Sequence, residues 1–306
     1  MVRVRGATLA GMAASARLAR LGHEVTLVTD GASPAALRDT LPDVILLPAA
    51  WRDLFKKSGA HLVTALNGAG LELVEAPAEV HTLADGTRLE LPTERGAQWR
   101  ALSAQLGEDE AARWRDLVDD LDDVLVAFRR HALEGTLPVT TAEQRSSLWL
   151  DRSLGDVAGR LGSGLRDLVL ACGPGPDAPA ISALPLSVAR TFGRWRLIPG
   201  GNGALADLLI ARLAERGVRI VDAADGPVDL DCTGHGAAPR TAAEWLARTP
   251  VVGADGRLRA SAASPAGPEP WAQLGSAALA VHELHERLTG EDSRPTNVAF
   301  RMPRPR

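Results

Sequence analysis

Apolar and polar positions alternate from the second residue onward. Val2 and Val4 stand against Arg3 and Arg5, the period-two pattern of a strand. Gly6 breaks the alternation, and apolar side chains then return with helical spacing at Leu9, Met12, Ala13, Ala16 and Leu18 until Gly22 stops the run. The segment EVTLVTD supplies a second strand ending on Asp30, which completes a strand-helix-strand unit of about 30 residues. Between Ala97 and Leu133 the apolar spacing predicts two amphipathic helices parted near Gly107, one lined by Trp99, Leu102 and Leu106 and the other by the stripe from Trp114 to Phe128. That stripe is expected to be core, and the acidic run DLVDDLDDV to be a solvated outer face. Asp-Gly turns at Ala84 to Thr87 and Ala254 to Arg257 predict hairpins, and SPAGPEP (Ser264 to Pro270) reads as a rigid loop.

The first turn carries the chemistry. GATLAG (Gly6, Ala7, Thr8, Leu9, Ala10, Gly11) is a dinucleotide-binding Gly-x-Gly-x-x-Gly with a threonine at its middle glycine. Gly6 is expected to make the turn and Gly11 to let helix and strand pack closely, while the free N–H groups of the helix start attract a pyrophosphate. Asp30, 19 residues after Gly11, stands where an acidic side chain takes ribose hydroxyls. The β-carbon and methyl of Thr8 push the pyrophosphate outward or demand a shifted loop, unless its hydroxyl itself donates to a phosphate oxygen. Retention of the unit for packing alone is the competing reading.

Composition narrows the class without naming the chemistry. The 306 residues are 45% hydrophobic and 24% charged with a net charge of −4, which suits a soluble globular protein and gives no argument for nucleic acid. The arginines of RMPRPR (Arg301 to Arg306) are too few and too interrupted to mean more than a solvated end. Cys172 and Cys232 lie far apart, so a disulfide framework is not expected and a reducing cytoplasm is. No run of about 18 apolar residues predicts a membrane span. Two lysines, Lys56 and Lys57, against 32 arginines suggest a GC-rich bacterial genome.

Three stretches resemble the phytoene desaturase branch of the FAD-dependent amine oxidase superfamily. They are GATLAGMAASARLARLGHEVTLVTD (Gly6 to Asp30); DTLPDVILLPAAWRDLFKKSGAHL (Asp39 to Leu62) with VHTLADGTRLELP (Val80 to Pro92); and ACGPGPDAPAISALPLSVARTFGRWRLIPGGNGALADLLIARLAERGVRI (Ala171 to Ile220). In the last, Trp195, Pro199, Gly200 and Gly201 fill the family's Trp and Pro-Gly-Gly places, and Asn202 stands where methionine is common. VDLDCTG (Val228 to Gly234) resembles the strand and turn that pass close to the cofactor, through Thr233 and Gly234. Gly275 to Gly290 looks like the last helix, whose start, at Gly275 and Ser276, would approach the flavin. Two departures stand out. GASPAALRDT (Gly31 to Thr40) replaces the Gly-Gly-Arg motif that helps hold FAD phosphates, and the family's long passage through the substrate domain after Ile220 is missing.

The resemblance implies an α/β fold: a Rossmann-like FAD/NAD(P)-binding domain from residues 1–50 and 190–306, with 51–189 as a smaller helical and hairpin cap. It implies an FAD-dependent oxidoreductase removing hydride from an apolar, isoprenoid-like or amine substrate, with the redox chemistry supplied by the flavin. The expected partner is a small lipophilic molecule, collected with or without transient membrane contact; no nucleic acid is expected. Alternatives are a degenerate relative acting as a binding or accessory protein, and an NAD(P)-binding reductase suited to Asp30. Other constellations are weak. His282 and His285 in HELHERL lack the spacing of a zinc protease and read as helix surface. Cys232 reads as a small buried residue and His235 as a donor to flavin or substrate. No Ser-His-Asp arrangement or Walker loop is discernible.

Overall fold

The opening unit of the computed structural model is β1 (Val2–Arg5), α1 (Leu9–Arg20) and β2 (Val25–Val28), with the two strands parallel and Val4 in register with Leu27. Residues 1–83, 85–135 and 137–294 are described; Ala84 of the first Asp-Gly turn and the Arg301–Arg306 tail lie outside them. Every residue of β2 is buried, as expected of a parallel strand covered on both faces. Small residues let α1 sit close. Gly6 has φ +111° and an added Cβ would stand 2.9 Å from the carbonyl carbon of Cys232; one on Gly11 would stand 2.0 Å from the oxygen of Gly6.

A short helix, α2 (Leu37–Thr40), leads to β3 (Ile45–Leu46), α3 (Pro48–Lys57), α4 (Leu62–Gly68) and β4 (Glu72–Glu75). The hairpin of β5 (Glu79–Thr82) and β6 (Arg88–Leu91) forms as the first Asp-Gly turn predicts. Gly107, at φ +89°, parts α5 (Arg95–Leu106) from α6 (Glu108–Phe128). Then come α7 (Ala142–Ser147), α8 (Leu154–Ala158), α9 (Ser163–Leu170) and α10 (Leu184–Phe192). The chain returns through β7 (Arg194–Ile198), which lies antiparallel between β3 and β4. It ends with α11 (Ala204–Glu215), β8 (Arg219–Val221), β9 (Leu230–Asp231), α12 (Ala242–Leu246), β10 (Leu258–Arg259) and α13 (Pro270–Thr289). The main sheet is all parallel, in the order β10-β9-β1-β2-β8.

Two hydrophobic clusters result. One surrounds α1 and the main sheet and also takes Trp51, Leu54, Phe55, Leu62 and Leu66 from α3 and α4. The other holds the expected α6 stripe with α8 to α10, and Trp245 and Trp271 enter it from late in the chain. No described helix is long and apolar enough to cross a membrane.

Three expectations are corrected. The second Asp-Gly turn gives only an isolated antiparallel bridge from Val252 to Leu258, because Leu258 and Arg259 pair in parallel with β9 instead. The last helix starts at Pro270, inside the expected loop, since a proline at the first helical position has no N–H to leave unsatisfied. The acidic run of α6 is not merely solvated. Asp119 and Asp122 clamp the guanidinium of Arg190, whose side chain is 7% exposed, and Asp122 also accepts from Ser187 Oγ at 2.6 Å. Those carboxylates pin α10 to α6.

Candidate functional site

A crevice of about 710 Å³ opens beyond the carboxyl ends of β1, β2, β9 and β10. The chain leaves β1 toward β2 on one side and meets β9 on the other, and at such a switch point the loops diverge and leave room for a ligand. Gly6, Ala7, Thr8 and Leu9 line it, with Asp30 on one side and Thr233, Gly234 and His235 on the other. The segment Gly31 to Thr40 and the two residues after it build a further wall through Ala36, Thr40 and Pro42, and Glu269 and Gln273 close the end at the start of α13.

Thr8 answers the question posed by its methyl group. Its backbone is extended (φ −92°, ψ 168°), a conformation open to any residue, and it is the N-cap of α1. Its hydroxyl turns inward, donating to the carbonyl oxygen of Cys232 at 3.0 Å and accepting from the N–H of Gly11 at 3.2 Å. The hydroxyl is therefore not spare for a phosphate, and it occupies one of the helix-start donors. The N–H groups of Leu9 and Ala10 have no acceptor among the described residues.

Asp30 has φ +52°, and its Oδ2 accepts from Arg5 Nε at 2.7 Å. Its Oδ1 has no partner among the described residues. No lysine or arginine among the described residues lines the crevice, and Arg38, from the segment that replaces Gly-Gly-Arg, is paired instead with Asp207. Thr233 folds back on its strand, its N–H and Oγ1 both donating to Asp231 Oδ1 at 3.0 and 2.7 Å. A Cβ on Gly234 would lie 2.5 Å from Ser261 Oγ and 3.2 Å from Ser261 Cβ, so a side chain there would have to displace Ser261.

The remaining expected residues sit behind or away from this opening. Ala10 and Gly11 are buried in α1 beneath the turn. Gly200 and Gly201, both with positive φ, shape the loop between β7 and α11 and do not line the crevice. The neighbouring Asn202 connects that loop to it: buried, it accepts from the N–H of Leu197 at 2.9 Å and donates to the carbonyl of Pro42, a lining residue, at 2.7 Å. Gly275 and Ser276 fall in the second turn of α13. A Cβ on Gly275 would meet Leu133 at 2.4 Å, and Ser276 Oγ donates to the carbonyl of Gln273 at 3.0 Å.

In an alignment 252 residues long that covers 72% of this chain and 48% of the other protein, the chain is 30% identical to the hydroxyneurosporene desaturase of Cereibacter sphaeroides. That similarity to a desaturase agrees with the resemblance read in the sequence. It spans about half the length of the curated relative it matches. No family model matches it. Among solved structures, a putrescine oxidase bound to putrescine has TM-score 0.46 and 16% identity, covering 72% of this chain and 50% of its own. A Rab GDI from Plasmodium falciparum has TM-score 0.40 and 12% identity, covering 72% and 57%.

An acidic residue, Glu269, stands directly before the last helix, and sequence reading missed it. The signal was available: an acidic residue directly ahead of a helix-opening proline. Burial pushes its carboxyl pKa up. Glu269 borders both the crevice and a smaller apolar slot of about 120 Å³ walled by Phe128, Ile181, Trp245 and Trp271. The cysteines offer no thiolate. Cys172 is pushed up to about 12 by burial, and the fully buried Cys232 is pushed up further for the same reason. The histidines of α13 are not a free surface. His285 is buried with Nδ1 2.9 Å from His23 Nε2, and His282 Nδ1 lies 2.8 Å from Ser293 Oγ.

Proposed function

We propose that the crevice holds FAD and that the chain is an FAD-dependent oxidoreductase removing hydride from a small apolar substrate, isoprenoid-like or amine-bearing. The observation that carries this reading is the open space at the switch point, where the Gly6 turn, the helix-start N–H groups of Leu9 and Ala10, and Asp30 meet. Its volume lies within the few hundred to about 1,000 Å³ usual for ligand pockets. Leu9 and Ala10 would donate to the pyrophosphate, and Oδ1 of Asp30 would accept from ribose hydroxyls. Thr233, Gly234 and the first turn of α13 would border the flavin, with Gly200 and Gly201 supporting the wall through Asn202 and Pro42.

When bound, FAD supplies the hydride acceptor. The chain's own part is to orient, exclude water and hold protons. The slot bordered by Trp245 and Trp271 suits an apolar substrate next to the crevice, and the Glu269 carboxyl at the junction is placed to hold or release a proton. This reading assigns cofactor binding to 1–50 with 190–306 and substrate cover to 51–189, with reduced cysteines in a cytoplasmic setting and a small lipophilic substrate collected with or without transient membrane contact.

One set of observations favours a second reading, a relative that has lost flavin and serves as a binding or accessory protein. Thr8 uses the Gly11 N–H, Arg38 is committed to Asp207, and no described cationic side chain faces the pyrophosphate position. The purified protein decides. Flavin absorption bands, or saturable quenching of added FAD fluorescence, supports the enzyme; a colourless protein that takes up no FAD supports the accessory reading. Heat stabilisation by NAD(H) without any by FAD would favour a reductase.

A further inference from the structure

A cavity of about 290 Å³ lies between the β5–β6 hairpin, α6, α9 and α10, and none of its lining residues belongs to the crevice. Leu91, Trp114, Val118, Leu168 and Leu186 give it apolar walls. Glu79 and His81, two apart on β5, share one face of the hairpin and both line it.

The charges on this cavity are already matched. Arg194 pairs with Glu79 at 3.1 Å and donates to the carbonyl of Pro77, and Arg190 is held by Asp119 and Asp122. Gln98 accepts from Nε1 of Trp114 at 3.0 Å and donates to the carbonyl of Pro92 at 2.8 Å. Cys172, also on the wall, stays a thiol and donates to the carbonyl of Leu168.

His81 is the exception. Its Nε2 is 3.9 Å from Glu79, too far for a hydrogen bond, and its ring has no other partner among the described residues. The side chain is 20% exposed, so a ligand can reach it. Burial, and Arg194 beside it, lower its pKa against the pull of Glu79, which leaves a neutral ring with one donor and one acceptor at pH 7. An ion entering here would lose its water without gaining a free counter-charge, whereas an apolar molecule with one neutral polar group would lose little.

We infer that this cavity binds an uncharged amphiphile, with its hydroxyl or carbonyl at His81 and its apolar chain against Trp114, Leu168 and Leu186. The site stands whether or not flavin occupies the crevice.

Equilibrium dialysis of the full chain at pH 7 against octan-1-ol, octanoate and octylamine tests it. The alcohol should bind at least about tenfold more tightly than either ion, the least that a desolvated, unpaired charge should cost. Ala189→Phe, which fills the cavity from a half-buried position on α10 and removes no polar group, should abolish alcohol binding. His81→Phe should weaken it about two- to tenfold, the effect of one neutral hydrogen bond. If that variant does not fold, the order of the three probes and Ala189→Phe decide. Saturating FAD should leave alcohol binding unchanged. Either ion binding as tightly as the alcohol, undiminished binding in Ala189→Phe or in folded His81→Phe, competition by FAD, or no saturable alcohol binding would each overturn the assignment.

Discussion

Replacing Thr8 separates the two roles that its side chain combines. The hydroxyl caps α1 through the Gly11 N–H and fastens the turn to strand β9 through the Cys232 carbonyl. Thr8→Ala loses both, and with about 0.5–2 kcal/mol for the cap and about 0.5–1.5 kcal/mol for the second bond, partly overlapping, the cost should be about 1–3 kcal/mol. Thr8→Ser keeps the hydroxyl and should stay within about 0.5 kcal/mol of the parent. Thr8→Gly is the informative variant. Glycine is a tolerated cap, so the loss should be near that of the Cys232 bond alone, about 1 kcal/mol, while the Gly11 N–H is set free at the helix start. A charge-assisted bond from that group to a pyrophosphate is worth about 1.5–3 kcal/mol, so FAD affinity should rise about tenfold or more as stability falls. Denaturant unfolding followed by tryptophan fluorescence gives the first quantity and FAD titration the second. A Thr8→Ser protein as unstable as Thr8→Ala would refute the hydroxyl account, and unchanged FAD affinity in Thr8→Gly would show that the Gly11 donor is not what limits binding.

Gly11→Ala should prevent folding or cost several kcal/mol, about 3 or more, because its Cβ would stand 2.0 Å from a backbone oxygen that cannot rotate away; a normal melting curve would contradict that packing. Asn202→Ala removes an acceptor from the Leu197 N–H and a donor from the Pro42 carbonyl, and thermal melting should show a loss of about 2–4 kcal/mol together with weaker ligand binding in the crevice. The folded-state pKa of His282, held down mainly by burial to about 4, lies below that of the unfolded chain, about 6.5, so the native state binds fewer protons between them. Stability should thus be complete above about pH 6.5 and fall as pH drops toward 4, by about 1–2 kcal/mol once partial exposure is discounted. The pKa of His23 is lowered in the same direction by burial and by His285. His282→Gln should flatten the slope of stability against pH, and an unaltered slope would assign the acid sensitivity to other groups.

The strand-helix-strand start was legible in the sequence because its causes are local. Alternation at Val2 and Val4, helical spacing from Leu9 to Leu18, and glycines at 6 and 11 act over a few residues, and they put Gly6, Leu9 and Asp30 on one crevice before any distant contact is considered. The split at Gly107 and the hairpin before α5 were readable for the same reason. What depended on partners far along the chain was not. The direction of the Thr8 hydroxyl is decided by a carbonyl 224 positions away, and the commitment of Arg38 by Asp207. The acidic run of α6 looked like a solvent face until Arg190 arrived between two of its carboxylates, and the histidines of α13 looked exposed until His23 and Ser293 met them. Short-range pattern chooses the elements and turns, whereas the hydrogen-bond partner of a polar side chain is fixed only when packing brings the donors and acceptors of separate elements together. For that reason sequence alone set the position of the crevice, and tertiary structure decided which of its groups remain free to bind.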